Sequence, residues 1–202
     1  WAIGMVFLIA LPAAFGLAIL AKPMLTTLFH YGDFSAADVG MSSRSLAAYA
    51  VGLPGFILVK IFASAFFSRQ DTATPVKVGV IALLSNIVLN IILVFPLAHA
   101  GLALATSLAA YINAGLLYML LIRRGHYQST FPVLKLLLRI LIAVTVMSLL
   151  LLLFVPTVEA WYEWGVYHRV FQLTLWVSGG ALVYAAVLWL GGLRPIHLAT
   201  PA

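Results

Sequence analysis

Apolar residues fall into six long stretches that carry few or no charges: residues 1–21, about 40–62, 76–97, 101–122, 133–155 and 170–193. A hydrocarbon core about 30 Å thick is crossed by about 20 apolar residues in an α-helix, so each stretch predicts one transmembrane helix. Barrel strands would instead alternate in polarity over about 10 residues. From Val133 to Val155 only Lys135, Arg139, Thr145 and Ser148 interrupt the apolar run. The pattern therefore predicts an all-α membrane protein with six spans.

Breaks within and between the stretches refine this outline. Pro12 interrupts the first span, which ends near Lys22-Pro23, and Met24 to His30 reads as a short amphipathic helix at the membrane surface. Tyr31 to Ser35 forms a turn, and Ser35 is placed to cap a helix from about Ala36 to Arg69, about 50 Å long, which has to tilt or bend. Pro54, with Gly52 before it and Gly55 after it, removes a backbone donor in mid-span and supplies the bend, as a packing kink or as a hinge. Thr74 before Pro75 reads as the cap of the next helix. Only Ala98, His99 and Ala100 separate the third span from the fourth, which predicts a tight hairpin. The basic segment Arg123 to Thr130 divides the chain into a four-helix part, 1–123, and a second part, 124–202, made of that linker and two helices. Between Pro156 and His168, Trp161, Tyr162, Trp164 and Tyr167 read as an aromatic belt at headgroup level.

Composition supports the membrane assignment: 64% of residues are hydrophobic and 8% charged, well beyond the soluble average of roughly half apolar. The net charge of +6 gains meaning from its distribution. With Trp1 at the cytoplasmic face, Lys60, Arg69, Lys77, Arg123, Arg124, Lys135, Arg139 and Arg194 lie inside, and Lys22, Arg44 and Arg169 outside. Cytoplasmic loops carry the excess of Lys and Arg, so both ends are expected in the cytoplasm. Asp33, Asp38, Glu159 and Glu163 then fall outside, with Asp71 inside. The basic character is a mark of topology and predicts no nucleic-acid partner. The absence of cysteine excludes disulfide and thiol chemistry. The chain opens on Trp1 within an apolar run with no signal peptide ahead of it, and is expected to be a piece of a longer protein or a processed product.

No enzyme constellation is evident. The acid pairs Asp33/Asp38 and Glu159/Glu163 lie in loops, and the five histidines show no metal-ligand spacing. Polar groups at mid-membrane are more informative, because hydrocarbon offers them no partners. Asn86 and Asn90, four residues apart, share one helix face. The next span carries Thr106, Ser107, Tyr111 and Asn113. The Asn86 and Asn90 carbonyls, the Thr106 hydroxyl and the backbone carbonyl of Leu102 could coordinate a monovalent cation. The same groups also serve as ordinary interhelical glue, and both readings stay open.

Several segments carry a resemblance: Leu11-Pro12-Ala13-Ala14, then Leu28 to Phe34 (LFHYGDF), then Ala48 to Pro54 (AYAVGLP), then Phe66 to Pro75 (FFSRQDTATP). In this order and spacing they resemble the second half of the MurJ/MviN family, lipid II flippases of the MOP transporter superfamily. The resemblance runs through about residue 125 and more loosely beyond. It implies that the six spans correspond to helices nine to fourteen of a fourteen-helix transporter whose amino-terminal part lies outside this chain. It implies alternating access, with no covalent chemistry on the substrate. The partners implied are lipid II, the undecaprenyl-linked peptidoglycan precursor, and the membrane lipids of a bacterial cytoplasmic membrane. The arginines that meet the headgroup belong to segments outside this chain.

By the same resemblance the last two spans wall a groove for the lipid tail, with Thr145, Ser148, Gly179 and Gly180 allowing close approach. Pro12 and Pro54 become candidate flex points. The sodium site of some members matches Asn86, Asn90, Leu102 and Thr106, although Asn90 stands where that pattern has an aspartate, so coupling to Na+ or to protons is left open. No other cofactor is implied. A related exporter of other lipid-linked sugars or drugs, and a non-transporting scaffold for envelope synthesis, are the alternative readings.

Overall fold

A computed structural model describes residues 2–125 and 133–193. Eight helices follow in order: α1 (Ala2–Ile19), α2 (Ala21–Phe29), α3 (Ala36–Phe67), α4 (Ala73–Leu97), α5 (His99–Arg123), α6 (Val133–Phe154), α7 (Val158–Glu163) and α8 (Val166–Leu190). Six of them, all but α2 and α7, are long and apolar enough to cross a membrane, as the apolar pattern predicts.

The long helices form a row. α5 packs between α3 and α4, α3 packs in turn on α1, and α1 meets α6 and α8 on its other side. α2 and α7 sit together at one end of the bundle, against α3 and α8. One apolar cluster joins Val6 and Ala10 of α1 to Phe62 and Phe66 of α3 and to Leu117 and Leu121 of α5. A second joins Leu8 to Ile140, Ala143 and Val144 of α6 and Leu188 of α8. The last two helices are thus packed directly onto the first. The predicted boundary between the two parts lies largely in residues 126–132, outside the described residues.

Local chemistry sets the helix ends. Ser35 caps α3 as expected: its Oγ accepts from the Asp38 amide at 3.3 Å, while the Asp38 carboxylate accepts from the Ser35 amide at 2.9 Å. Such a reciprocal box is worth about 1 kcal/mol. At α4 the structure corrects the expectation. Thr74 is not the cap; the Asp71 carboxylate accepts from the Thr74 amide at 3.0 Å and from its hydroxyl at 2.6 Å. A carboxylate three residues back reaches an orphan amide that a side chain within the first turn cannot. Pro75 lies within the first turn of α4, where its missing N–H costs nothing.

Two further expectations change. The hairpin break between α4 and α5 narrows to Ala98 alone, at φ 47° and ψ −126°. It is possible because Gly101 passes so close that an added Cβ would lie 2.1 Å from the Leu93 carbonyl oxygen. The short helix near the surface begins at Ala21 and takes Lys22-Pro23 into its first turn.

Candidate functional site

A groove of about 540 Å³ opens between α1, α2, α6 and α8. α1 contributes Leu8, Ile9, Pro12, Gly16, Leu17 and Leu20, every third or fourth residue along one face. Met147 and Leu151 of α6 form the back, and α8 closes the opposite side with Leu173, Trp176, Val177, Gly180 and Tyr184. Gly180 faces α6 with room for a methyl group: an added Cβ would meet Leu151 at an ordinary 3.5 Å. Gly16, by contrast, has open space where its side chain would be, so its missing side chain is part of the groove's width.

The four residues expected in the groove separate. Gly180 lies on its wall, whereas Thr145, Ser148 and Gly179 are not among the lining residues. The inward stripe of α6 carries Ile140, Ala143, Val144, Met147 and Leu151; Ser148 is buried beside it without lining the groove, and Thr145 turns to the exposed face. The α1 wall was missed. Its signal was the Pro12, Ala13, Gly16 sequence of small or ring-bearing residues within an apolar span.

Both candidate flex points are tied to neighbouring helices. Pro12 deprives the Leu8 carbonyl of its helical donor, and Tyr184 Oη of α8 donates to that oxygen at 2.7 Å. Pro54 is fully buried and deprives the Ala50 carbonyl in the same way. Around it Ser107 Oγ donates to the Ala48 carbonyl at 2.7 Å and Tyr111 Oη to the Val51 carbonyl at 2.6 Å. A freed carbonyl at membrane depth requires such a partner, which the Leu8 carbonyl has in Tyr184; the bonds near Pro54 fall on Ala48 and Val51, on either side of Ala50.

Asn86, Asn90, Thr106 and Leu102 are brought together on the α4–α5 hairpin. Asn90 Nδ2 donates to Asn86 Oδ1 at 2.9 Å, Asn86 Nδ2 to Thr106 Oγ1 at 3.3 Å, and Thr106 Oγ1 to the Leu102 carbonyl at 3.0 Å. Asn90 Oδ1 is buried with no donor. The set supplies oxygen ligands suited to a hard cation, and no carboxylate belongs to it. Among the described residues no group of three His, Asp or Glu could hold a metal ion.

Sequence reasoning placed Trp161 in an interfacial belt; in the structure it is fully buried within the protein. Beside it Arg169 is buried as well, donating through Nε to the Trp161 carbonyl at 2.8 Å and through Nη2 to Tyr162 at 3.0 Å. Its Nη1 reaches the Thr26 and His30 carbonyls at 3.3 and 3.4 Å, at the end of α2. A cation at a helix C-terminus is favourable, so Arg169 fixes the mouth of the groove by pinning α2 to α7 and α8.

At the opposite end Arg124 donates to Asp71 at 2.5 Å and to Thr74 Oγ1 at 3.1 Å. The Thr74 hydroxyl and amide, then Arg124, hold the Asp71 carboxyl down at about 2.

Six helices long and apolar enough to span a membrane, with an apolar groove between four elements of the bundle, define a polytopic integral membrane protein. Comparison with known proteins carries this to a family. The family model for the lipid II flippase MurJ matches residues 1–173, and the chain belongs to that family. It is 43% identical over 194 residues to a probable lipid II flippase MurJ of Vibrio cholerae, covering 96% of this chain and 37% of that protein. To the probable lipid II flippase MurJ of Haemophilus influenzae it is 40% identical over 200 residues, 99% of this chain and 39% of that protein. Its fold matches a solved lipid II flippase MurJ in an inward closed conformation at a TM-score of 0.70 and 28% identity, over 92% of this chain and 36% of that one. The chain thus spans less than two fifths of the length of these relatives.

Proposed function

We propose that this chain is the carboxy-terminal part of a lipid II flippase that moves the lipid-linked peptidoglycan precursor from the inner to the outer leaflet of a bacterial cytoplasmic membrane. The groove carries the reading: it is apolar and set among spanning helices, as a polyprenyl tail requires. Family membership, with relatives named as lipid II flippases, supplies the substrate. The eight-to-three distribution of Lys and Arg over the two faces supports a topology with both ends of the segment in the cytoplasm. Alternating access then rocks this helical unit against the remaining lobe, which holds the headgroup.

The α4–α5 seam is the coupling site of this proposal. Asn86, Asn90, Thr106 and the Leu102 carbonyl would hold Na+, and Asn90 Oδ1, buried and unpaired, is the oxygen best placed to gain from it. Without a carboxylate the bound charge is balanced only weakly, so proton or membrane-potential coupling accompanies or replaces it.

The test is depletion of the full-length protein in its native cell, followed by labelling of lipid II at the outer face of the cytoplasmic membrane. Loss of the labelled pool while total lipid II accumulates is expected. An undiminished pool would remove the flippase reading.

A further inference from the structure

The groove has one closed end. Toward α2 it runs past Leu20 to Met24, and in the other direction it stops at Leu8 and Tyr184. Beyond Tyr184 the helices meet without a gap: Leu188 of α8 packs with Leu8, Ile140 and Val144, all of them buried. The tyrosine sits at this end. Its side chain lines the groove where α8 meets Leu8 of α1. Its hydroxyl is anchored at 2.7 Å on the Leu8 carbonyl, the oxygen that Pro12 leaves without a helical donor.

From Leu8 to Leu20 the groove follows α1 and the residue after it, about 18 Å at the helical rise. That is about three fifths of a hydrocarbon core about 30 Å thick. A chain that enters from the α2 end therefore runs somewhat more than one leaflet deep and then meets the tyrosine ring. Carbons that pass this point must turn out into the bilayer, where they exchange one apolar neighbour for another and gain nothing from the protein.

We propose that Tyr184 is a specificity-determining residue that sets how far a polyprenyl chain enters the groove, and so the tail length beyond which the protein gains no further affinity. The proposal rests on the flippase reading and adds a ruler to it. Affinity rises with each isoprene unit that is seated against α1 and α8 and levels off once the chain reaches Tyr184.

The experiment uses the purified full-length protein and a series of polyprenyl monophosphates lengthened one isoprene unit at a time, with affinity measured for each. Wild-type affinity is expected to climb and then level off. Tyr184→Ala shifts the levelling point to longer tails by at least one isoprene unit. Tyr184→Phe keeps the ring and loses the anchor, so it lowers the melting temperature yet levels off at the wild-type length, a split that a merely structural role would not give. If Tyr184→Ala fails to fold, Tyr184→Leu shortens the side chain for the same comparison. An unchanged levelling point in the folded truncation variant overturns the proposal alone. A wild-type affinity indifferent to tail length overturns it together with the groove beneath it.

Discussion

Pro12 and Pro54 each interrupt a spanning helix away from its ends, and beside each a tyrosine from another helix bonds a backbone carbonyl, yet the surroundings differ. At Pro54 the seam between α3 and α5 is closed. Gly52 lies so near Ser107 that an added Cβ would fall 2.5 Å from Oγ, and Gly55 faces Tyr111 at 3.3 Å. At Pro12 the seam between α1 and α8 opens beside Tyr184 into a groove of about 540 Å³. Lipid offers helices no hydrophobic reason to associate, so close backbone approach and interhelical hydrogen bonds hold them together. Where small residues meet on both sides the seam seals, as at α3–α5. Where one side keeps a glycine that faces nothing, as Gly16 does, the seam stays open. The closed seam packs α3 on α5, and the open one is where the proposed function seats a hydrocarbon chain.

The contrast is sharpest in glycine replacements. Gly52→Ala forces a methyl group into Ser107 and is expected to cost about 1–3 kcal/mol, the usual penalty of overpacking, read as a lowered melting temperature of the full-length protein. Gly180→Ala meets Leu151 at an ordinary 3.5 Å and is expected to be neutral or to stabilise by at most about 1 kcal/mol through helix propensity. Equal losses in the two variants would erase the distinction between the seams.

Removal of the tyrosine hydroxyls probes what the two seams share. Tyr111→Phe and Tyr184→Phe are each expected to cost about 0.6–1.7 kcal/mol, the range for interhelical hydrogen bonds within membranes. A larger loss at Tyr184 would show that the Leu8 carbonyl, left without a helical donor by Pro12, depends on its tyrosine more than the Val51 carbonyl, whose helical donor remains.

A smaller effect belongs to the closed side alone. The Asp71 carboxyl sits at about 2 in the folded protein against an ordinary 3.8, so folding favours its ionised form. Its contribution is complete above about pH 4 and is lost as pH falls through about 2. Melting temperatures of the wild type and Asp71→Asn are expected to converge over that interval, and a constant difference would contradict the role of Asp71 in joining α4 to the end of α5.

Much of this architecture is legible in the sequence. The six spans follow from apolar length, and the Ser35–Asp38 box is written in adjacent residues. The Asn86, Asn90 and Thr106 set is legible because polar residues at helical spacing are few in such spans. Helix orientation within the bundle is not legible in the same way. When the solvent is hydrocarbon, inward and outward faces are both apolar, and the periodicity that marks a buried face in water largely vanishes. Leu149 and Leu151 of α6 are the same residue type, yet Leu149 is half exposed and Leu151 fully buried. Thr145 and Ser148 drew attention as polar residues, while the groove is lined by their apolar neighbours. Trp161 reads as interfacial by type, and it is the distant carbonyls gathered by Arg169 that draw its segment inward.

The open seam carries the functional claim, and Gly16 offers the most direct way to test it. Its side-chain position points into free space on the groove wall, where an added Cβ meets nothing within 4 Å, so Gly16→Phe directs a ring into the groove. The decisive measurement is lipid II translocation by the full-length protein in proteoliposomes, wild type against Gly16→Phe, with melting temperature and headgroup binding followed in parallel. The account predicts that translocation falls more than tenfold while the other two hold. Translocation at the wild-type rate with the groove filled would contradict it.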